Sequence, residues 1–414
     1  MSRMRIVIAL GGNAMTAPDG SARPEDQQRA VERTMPHIAA LVAAGHEVVI
    51  THGNGPQVGN LLVKNEVAAS VVPPVPLDWC DAQTQGTIGA LIMNALGRSL
   101  ADRGLPPNVA ALVSRTLVDQ DDPAFAKPTK PIGRFLPRDE AAVLIAHGEV
   151  WQDRGAKGWR RVVASPEPHS CVDADAARVL LEAGYVVTCG GGGGIPVVAD
   201  GVGGYRGVEA VIDKDLTAAL LADTLNADVL IIATDVEHAV LGFETPEAQP
   251  LGEVSVAELR GYAEAGEFAG GSMLPKVEAG CRFASHNGRF AVITSLEHIE
   301  DALTNRVGTI IRGRTRSDSV RHTGAEIRTA ALRGEAPHAW MGREGGLGGP
   351  RVAADIASGK WMTVRYDVAT EPTPSSWDWF PVSEFLATLE AHLARLEAAE
   401  PQIAEWLAAD SWVV

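Results

Sequence analysis

Apolar residues run along this chain in two rhythms. The first is continuous: "MRIVIAL" (4–10), "HEVVITHGN" (46–54), "NVAALVSRT" (108–116), "GYVVTCGG" (184–191), "ADVLIIATDV" (227–236) and "RFAVITS" (289–295). Such Val/Ile/Leu runs, lacking alternation, predict strands covered on both faces by helices. The second rhythm is helical and fills the intervals. Val31, Ile38, Leu41 and Val42 share one face of a helix over 27–44 that stops at Gly45, with a kink predicted at Pro36. Ser255 and Glu258 have capping-box spacing at the start of a helix over 255–266, and another helix opens at Pro275, since proline is favoured in a first turn. Strand and helix patterns in alternation give an α/β architecture with a mainly parallel central sheet.

Two segments break the alternation. Residues 119–165 are rich in Pro, Arg and Lys and read as an inserted lid subdomain. Beyond about residue 314 the composition shifts: Trp340, Trp361, Trp377, Trp379, Trp406 and Trp412 are six of the nine tryptophans. That concentration, with a possible strand over 361–368 and an amphipathic helix over 382–399, divides the chain into 1–314 and a Trp-rich extension, 315–414, read as a small packed core.

With 414 residues, 46% of them hydrophobic, the chain can bury a large core. Its net charge of −16 excludes a basic nucleic-acid surface, so any anionic substrate must be caught by local cations. Cys80, Cys171, Cys189 and Cys281 have no zinc or CxxC spacing and read as reduced thiols of a cytoplasmic protein. No apolar run approaches the ~18 residues that span a membrane, and His322 and His338 are too sparse for a metal site.

Chemistry concentrates where strands end. "ALGGNA" (9–14), "THGNGPQ" (51–57) and "CGGGGGIP" (189–196) place glycine at the carboxyl ends of three strands, where ligands bind in open α/β sheets. Each loop alone is explained equally by tight turn geometry; together, two of them with an asparagine, they suggest a cradle for a small anion. Neither a Walker sequence nor GxGxxG after the first strand is present. In "GVEAVIDKDLTAALLA" (207–222), Asp213, Lys214 and Asp215 interrupt the junction of two apolar elements, and Lys276 lies in the first turn of the helix at Pro275. Cations at helix N-termini, held by carboxylates, fit phosphoryl transfer.

These segments resemble carbamate kinases, a branch of the amino acid kinase superfamily. "PLDWCDAQTQGTIG", "DDPAFAKPTKPIG", "RRVVASPEP", "GVEAVIDKDL" and "GSMLPKVEA" join the glycine turns in the family's order over roughly residues 4–313. The resemblance implies a three-layer αβα sandwich, a homodimer, and MgATP-dependent phosphorylation of carbamate, reversible toward ATP from carbamoyl phosphate and ADP. Superfamily relatives commonly carry a phosphate-binding lysine on the first strand, where this chain has Ala9; Lys214 is implied to supply that cation. Asp213 and Asp215 would orient Lys214 and Lys276, and Lys130 would reach from the lid toward carbamate. Backbone amides of Gly11, Gly12, Asn13, Gly53 and Asn54 would hold carbamate and phosphoryl oxygens. Thr234, Asp235, Val236 and Met273, with Lys276, would line the nucleotide pocket. Mg²⁺ would arrive on the nucleotide, with no dedicated protein site.

Four positions depart from the family pattern. Leu274 stands for glycine, with strain expected if φ must be positive there; Val240 stands for tyrosine, Asp81 for a small residue and Ala164 for proline. Two other functions remain compatible with these residues: a kinase for another small carboxylate, and a silent regulator that binds nucleotide or carbamoyl phosphate.

Overall fold

Ile6 to Leu10 of the first strand, Arg5–Leu10, are completely buried, and alternate side chains enter two different cores. Ile6, Ile8 and Leu10 pack with Val31, Met35 and Ile38 of helix Pro24–Ala43 and with Ile88, Ile92 and Leu96 of helix Leu77–Ala101. Val7 and Ala9 pack on the opposite side with Ala218, Leu221 and Ala222 of helix Lys214–Thr224 and with Val277 of helix Met273–Ala284. A sheet clothed on both faces needs apolar residues at every position, which is why its strands read as unbroken runs. Burying each such Val, Ile or Leu contributes about 1.5–3 kcal/mol.

The computed structural model describes residues 3–12, 16, 23–243, 245–268, 272–286, 289–304 and 307–313, and two short strands beyond them, Val352–Ala353 and Thr363–Val364, paired antiparallel. The expected tail helix and tryptophan core, and Asn13, lie outside the described residues. The chain divides into two compact units, Met1–Gly313 and Arg314–Val414.

The central sheet has eight strands in the order Glu253–Ser255, Thr309–Arg312, Phe290–Ser295, Val229–Thr234, Arg5–Leu10, Glu47–His52, Val186–Thr188 and Val109–Ala111. All adjacent pairs are parallel except Phe290–Ser295 with Thr309–Arg312. The strand expected over 108–116 divides in two, because Ser114 is diverted: its N–H donates to Gln85 Oε1 (2.7 Å), and Arg115–Val118 joins a second, four-stranded sheet. Helix Pro24–Ala43 runs unbroken past Pro36, while the Ser255/Glu258 capping box forms as the spacing predicts.

Inserted between strands Arg115–Val118 and Pro168–Cys171 is a subdomain with its own three-stranded antiparallel sheet, in the order Lys130–Leu136, Trp159–Val163, Trp151–Asp153. Helix Arg138–Ala146 covers it, closing a small core of Leu136, Ala141 and Trp151. Ile132 and Val163 of this subdomain pack with Val58 and Leu62 of helix Gly55–Ala68. Ala164 ends it: its carbonyl accepts from Val211 N (3.0 Å), which ties the subdomain to the segment leading into Asp213.

Candidate active site

The first and second strands both stop at glycine, and their turns touch. Gly53 N donates to Leu10 O (3.0 Å) and Gly11 N to Ala233 O (2.8 Å), each adding one rung to the parallel ladder. A Cβ at Gly53 would lie 3.0 Å from both N and Cα of Gly12, so side-chain-free backbone is needed for the approach. These rungs correct one expectation. The N–H groups of Gly11 and Gly53 are already spent on carbonyls and shape the turn, whereas no strand carbonyl among the described residues takes the amides of Gly12 and Asn54.

Beside these turns stands the charged junction. Asp213 caps helix Lys214–Thr224, its Oδ1 accepting from Asp215 N (2.9 Å), while its Oδ2 accepts from Lys130 Nζ (2.8 Å) across from the inserted subdomain. Asp215, only 3% exposed, accepts from Lys214 Nζ on one oxygen (2.5 Å) and from Lys276 Nζ on the other (3.2 Å). Lys276 also donates to Ser272 O (3.1 Å). Ala210 and Ile212 are buried on one side of the junction, and Ala218, Ala219 and Leu221 of the helix on the other, so the three charges are held at a helix N-terminus. Burial of the Asp215 carboxyl favours its neutral form, but the adjoining Lys214 and Lys276 outweigh it and bring its pKa below the ordinary value. A Cβ on Gly53 would meet Lys214 Cδ at 3.5 Å, which places this cation against the glycine turns.

His52 is buried at the same spot and donates through Nδ1 to Gly53 O (3.0 Å). Burial first, and then the charge of Lys214, push its pKa to about 4, so it is a neutral brace at physiological pH.

Of the residues expected to line a nucleotide pocket, Thr234 ends its strand beside Gly11 and donates to Asp235 Oδ1 (2.9 Å); Val236 follows, half-buried. Met273 opens its helix and packs on the core, two residues earlier than the Pro275 start expected. Leu274 lies within that helix, 38% exposed, and Asn226 is the only non-glycine residue with positive φ among the described residues. The strain expected at Leu274 is therefore absent. Val240 sits in a two-residue strand opposite Pro250.

The third glycine run has a packing role. Gly190, Gly192, Gly193 and Gly194 all have positive φ, and a Cβ at Gly192 would fall 2.2 Å from Asn54 Nδ2. Its carbonyls are used internally: Gly193 O accepts from Thr116 and Thr217 hydroxyls, and Gly191 O from Gln85 Nε2. Turn geometry and close approach account for these glycines, and the N–H groups of Gly190, Gly193 and Gly194 are taken by Ser114 Oγ, Gly190 O and Gly191 O.

Sequence reasoning passed over one cluster. Asn54 Nδ2 donates to Asp81 Oδ1 (3.0 Å) and Thr84 Oγ1 (2.9 Å), and all three residues are buried. Asp81 and Thr84 are three apart on helix Leu77–Ala101, a same-face spacing that is visible in the sequence, but Asn54 comes from a distant turn. Burial pushes the Asp81 carboxyl up to about 8; the Asn54 hydrogen bond opposes this and nearby Asp78 adds to it.

Residues 4–295 match the model of the amino acid kinase family. The carbamate kinase of Pyrococcus furiosus is 44% identical over 309 residues, covering 74% of this chain and 98% of that relative. The carbamate kinase-like protein YqeA of Escherichia coli is 44% identical over 311 residues, covering 74% and 98%. Among solved structures, carbamate kinase from Giardia lamblia bound to AMP-PNP superposes with a TM-score of 0.71 at 40% identity, covering 75% of this chain and 99% of that one. The C-terminal stretch of about 100 residues has no counterpart in these relatives. The chain belongs to the amino acid kinase family, in its carbamate kinase branch.

Proposed function

We propose that this protein transfers a phosphoryl group between ATP and carbamate, ATP + carbamate ⇌ ADP + carbamoyl phosphate, and that it also runs toward ATP. The observation that carries this reading is the linked set Lys130–Asp213 and Lys214–Asp215–Lys276 beside two glycine turns. In-line transfer spreads negative charge over the phosphoryl oxygens, and preset cations stabilise it without reorganisation at the moment of reaction. Carbamate oxygen is already anionic, so no general base is required. Positioning and neutralisation do the work.

In this reading Lys214 and Lys276 face the transferred group, Lys130 faces the carbamate end, and Asp213 and Asp215 aim them. The amides of Gly12 and Asn54, with Asn13, hold oxygens of the substrate, and Thr234, Asp235, Val236 and Met273 border the nucleotide. Mg²⁺ enters as part of MgATP or MgADP. The carboxylates of Asp213 and Asp215 already bind lysines, which suits a metal that arrives on the nucleotide. Residues 1–314 form the catalytic domain and 315–414 an accessory module. The active species is a homodimer, and four buried free thiols suit the reducing cytoplasm. Among the described residues no helix is long and apolar enough to cross a membrane.

The test is ATP formation from carbamoyl phosphate and MgADP by the full-length protein. Turnover that collapses in Lys214→Ala supports the assignment. A folded protein that forms no ATP would redirect it to another small acid or to a silent regulator.

A further inference from the structure

Nearly every group gathered at the candidate site donates: three lysine ammonium groups and the backbone amides of the turns. The Asp213 and Asp215 carboxylates accept from those lysines; the Asn54 amide can offer a further acceptor, and its orientation is decided by its neighbours. The Thr84 hydroxyl donates its proton to Asp81 O (2.8 Å), so toward Asn54 Thr84 Oγ1 acts only as an acceptor. The group facing it is therefore Asn54 nitrogen and not oxygen. A second acceptor, Asp81 Oδ1, takes the other amide proton. Gly192 backbone lies over the amide so closely that any side chain there would overlap it. With both N–H groups consumed, Asn54 Oδ1 has no hydrogen-bond donor among the described residues, although Asn54 is only 4% exposed and makes no side-chain cap to its own helix. The oxygen is not among the side-chain atoms that are fully buried without a partner, so it stays open to water or to a ligand that can donate to it.

Resting on the carbamate reading above, we propose that Asn54 Oδ1 accepts a hydrogen bond from the amino group of carbamate or carbamoyl phosphate, and that Asp81 and Thr84 are positioning residues that hold the amide in this sense. The cluster would make the site select an acyl phosphate bearing N–H over one bearing a methyl group. The neutral state of Asp81 fits this role. With its pKa near 8, the carboxyl adds no full negative charge beside an anionic substrate at neutral pH, yet still offers an oxygen to Asn54. An ionised carboxylate there would repel carbamate.

The experiment compares carbamoyl phosphate with acetyl phosphate as phosphoryl donors to MgADP, in full-length wild type and in Asp81→Ala, Asp81→Asn and Thr84→Val. Losing a hydrogen bond to a site built for it lowers kcat/KM by roughly 10- to 100-fold. Wild type should favour carbamoyl phosphate by at least about that factor. Asp81→Ala and Thr84→Val should each reduce the preference by roughly 5- to 10-fold, by slowing carbamoyl phosphate and leaving acetyl phosphate nearly unchanged. Asp81→Asn, which still presents an acceptor oxygen, should retain the preference. The proposal is overturned if the variants slow both donors equally, or if the preference survives Asp81→Ala and Thr84→Val alike. Thr84→Val is close to isosteric, so it decides the matter even if Asp81→Ala does not fold. A folded wild type that makes no ATP from carbamoyl phosphate would instead overturn the carbamate reading, and this inference with it.

Discussion

Asp213 and Asp215 stand two residues apart at the same helix N-terminus and live in different electrostatic worlds. Asp215 is clamped by two lysines of the same globular body, and the side chains of all three are at most 13% exposed. Asp213 holds one lysine, Lys130, that reaches across from the inserted subdomain with its side chain 34% exposed. The first cluster loses a charge only at the cost of stranding others in low dielectric; the second can open into water at little cost. On the function proposed above, one would be a fixed scaffold for the transferred group, the other a contact suited to repeated making and breaking. Asp81 extends the series to an aspartate that pairs with no cation among the described residues. Similar burial leaves Asp215 below its ordinary pKa and lifts Asp81 to about 8.

The largest effect should come from breaking the clamp. Asp215→Ala strands Lys214 and Lys276, and should destabilise the protein by roughly 3–5 kcal/mol in chemical denaturation. Lys214→Ala and Lys276→Ala should each lower kcat by about 100-fold or more in the MgADP assay while the fold is kept. A Lys214 or Lys276 variant with wild-type kcat would detach the clamp from the chemistry.

Asp81 gives the next effect, and it depends on pH. Below its ordinary value of 3.8 the carboxyl is protonated in both folded and unfolded chains and costs nothing. Between about 4 and about 8 the unfolded chain ionises while the folded one retains its proton. Stability therefore falls as pH rises, by at most about 1.4 kcal/mol per pH unit from this group, and levels off above about 8. Asp81→Asn lacks this slope. The stability of the variant relative to wild type should grow steadily from pH 5 to pH 8 in urea unfolding, and a constant difference would mean that Asp81 ionises in the folded protein.

The smallest effect belongs to the cross-subdomain pair. A double-mutant cycle of Lys130→Ala and Asp213→Ala should give a stability coupling of about 0.2–1 kcal/mol, shrinking in 0.5 M salt. A coupling as large as that of the Asp215 clamp would erase the distinction between the two aspartates.

Much of this was legible in the residues. The apolar runs and capping signals located the buried strands and the Ser255 helix, because local periodicity and caps are short-range properties. The three charges at 213–215 stood out for the same reason: they interrupt an apolar pattern. The division of the strand near Ser114 was not legible, since it depends on Gln85 arriving from another helix. Equally hidden was the closeness of Gly192 to Asn54, which made a suggestive glycine run a matter of packing.

Local pattern was enough to establish the alternation of strand and helix and the charges at the strand ends, and the quoted motifs in their order carried the resemblance to the family. The folded arrangement alone settled which donors were already spent. Gly11 and Gly53 give their amides to neighbouring strands, and Asn54 gives both amide protons to Asp81 and Thr84. Hydrogen bonding saturates, and whether a group is free for a ligand depends on partners far away in sequence, which periodicity and spacing cannot register.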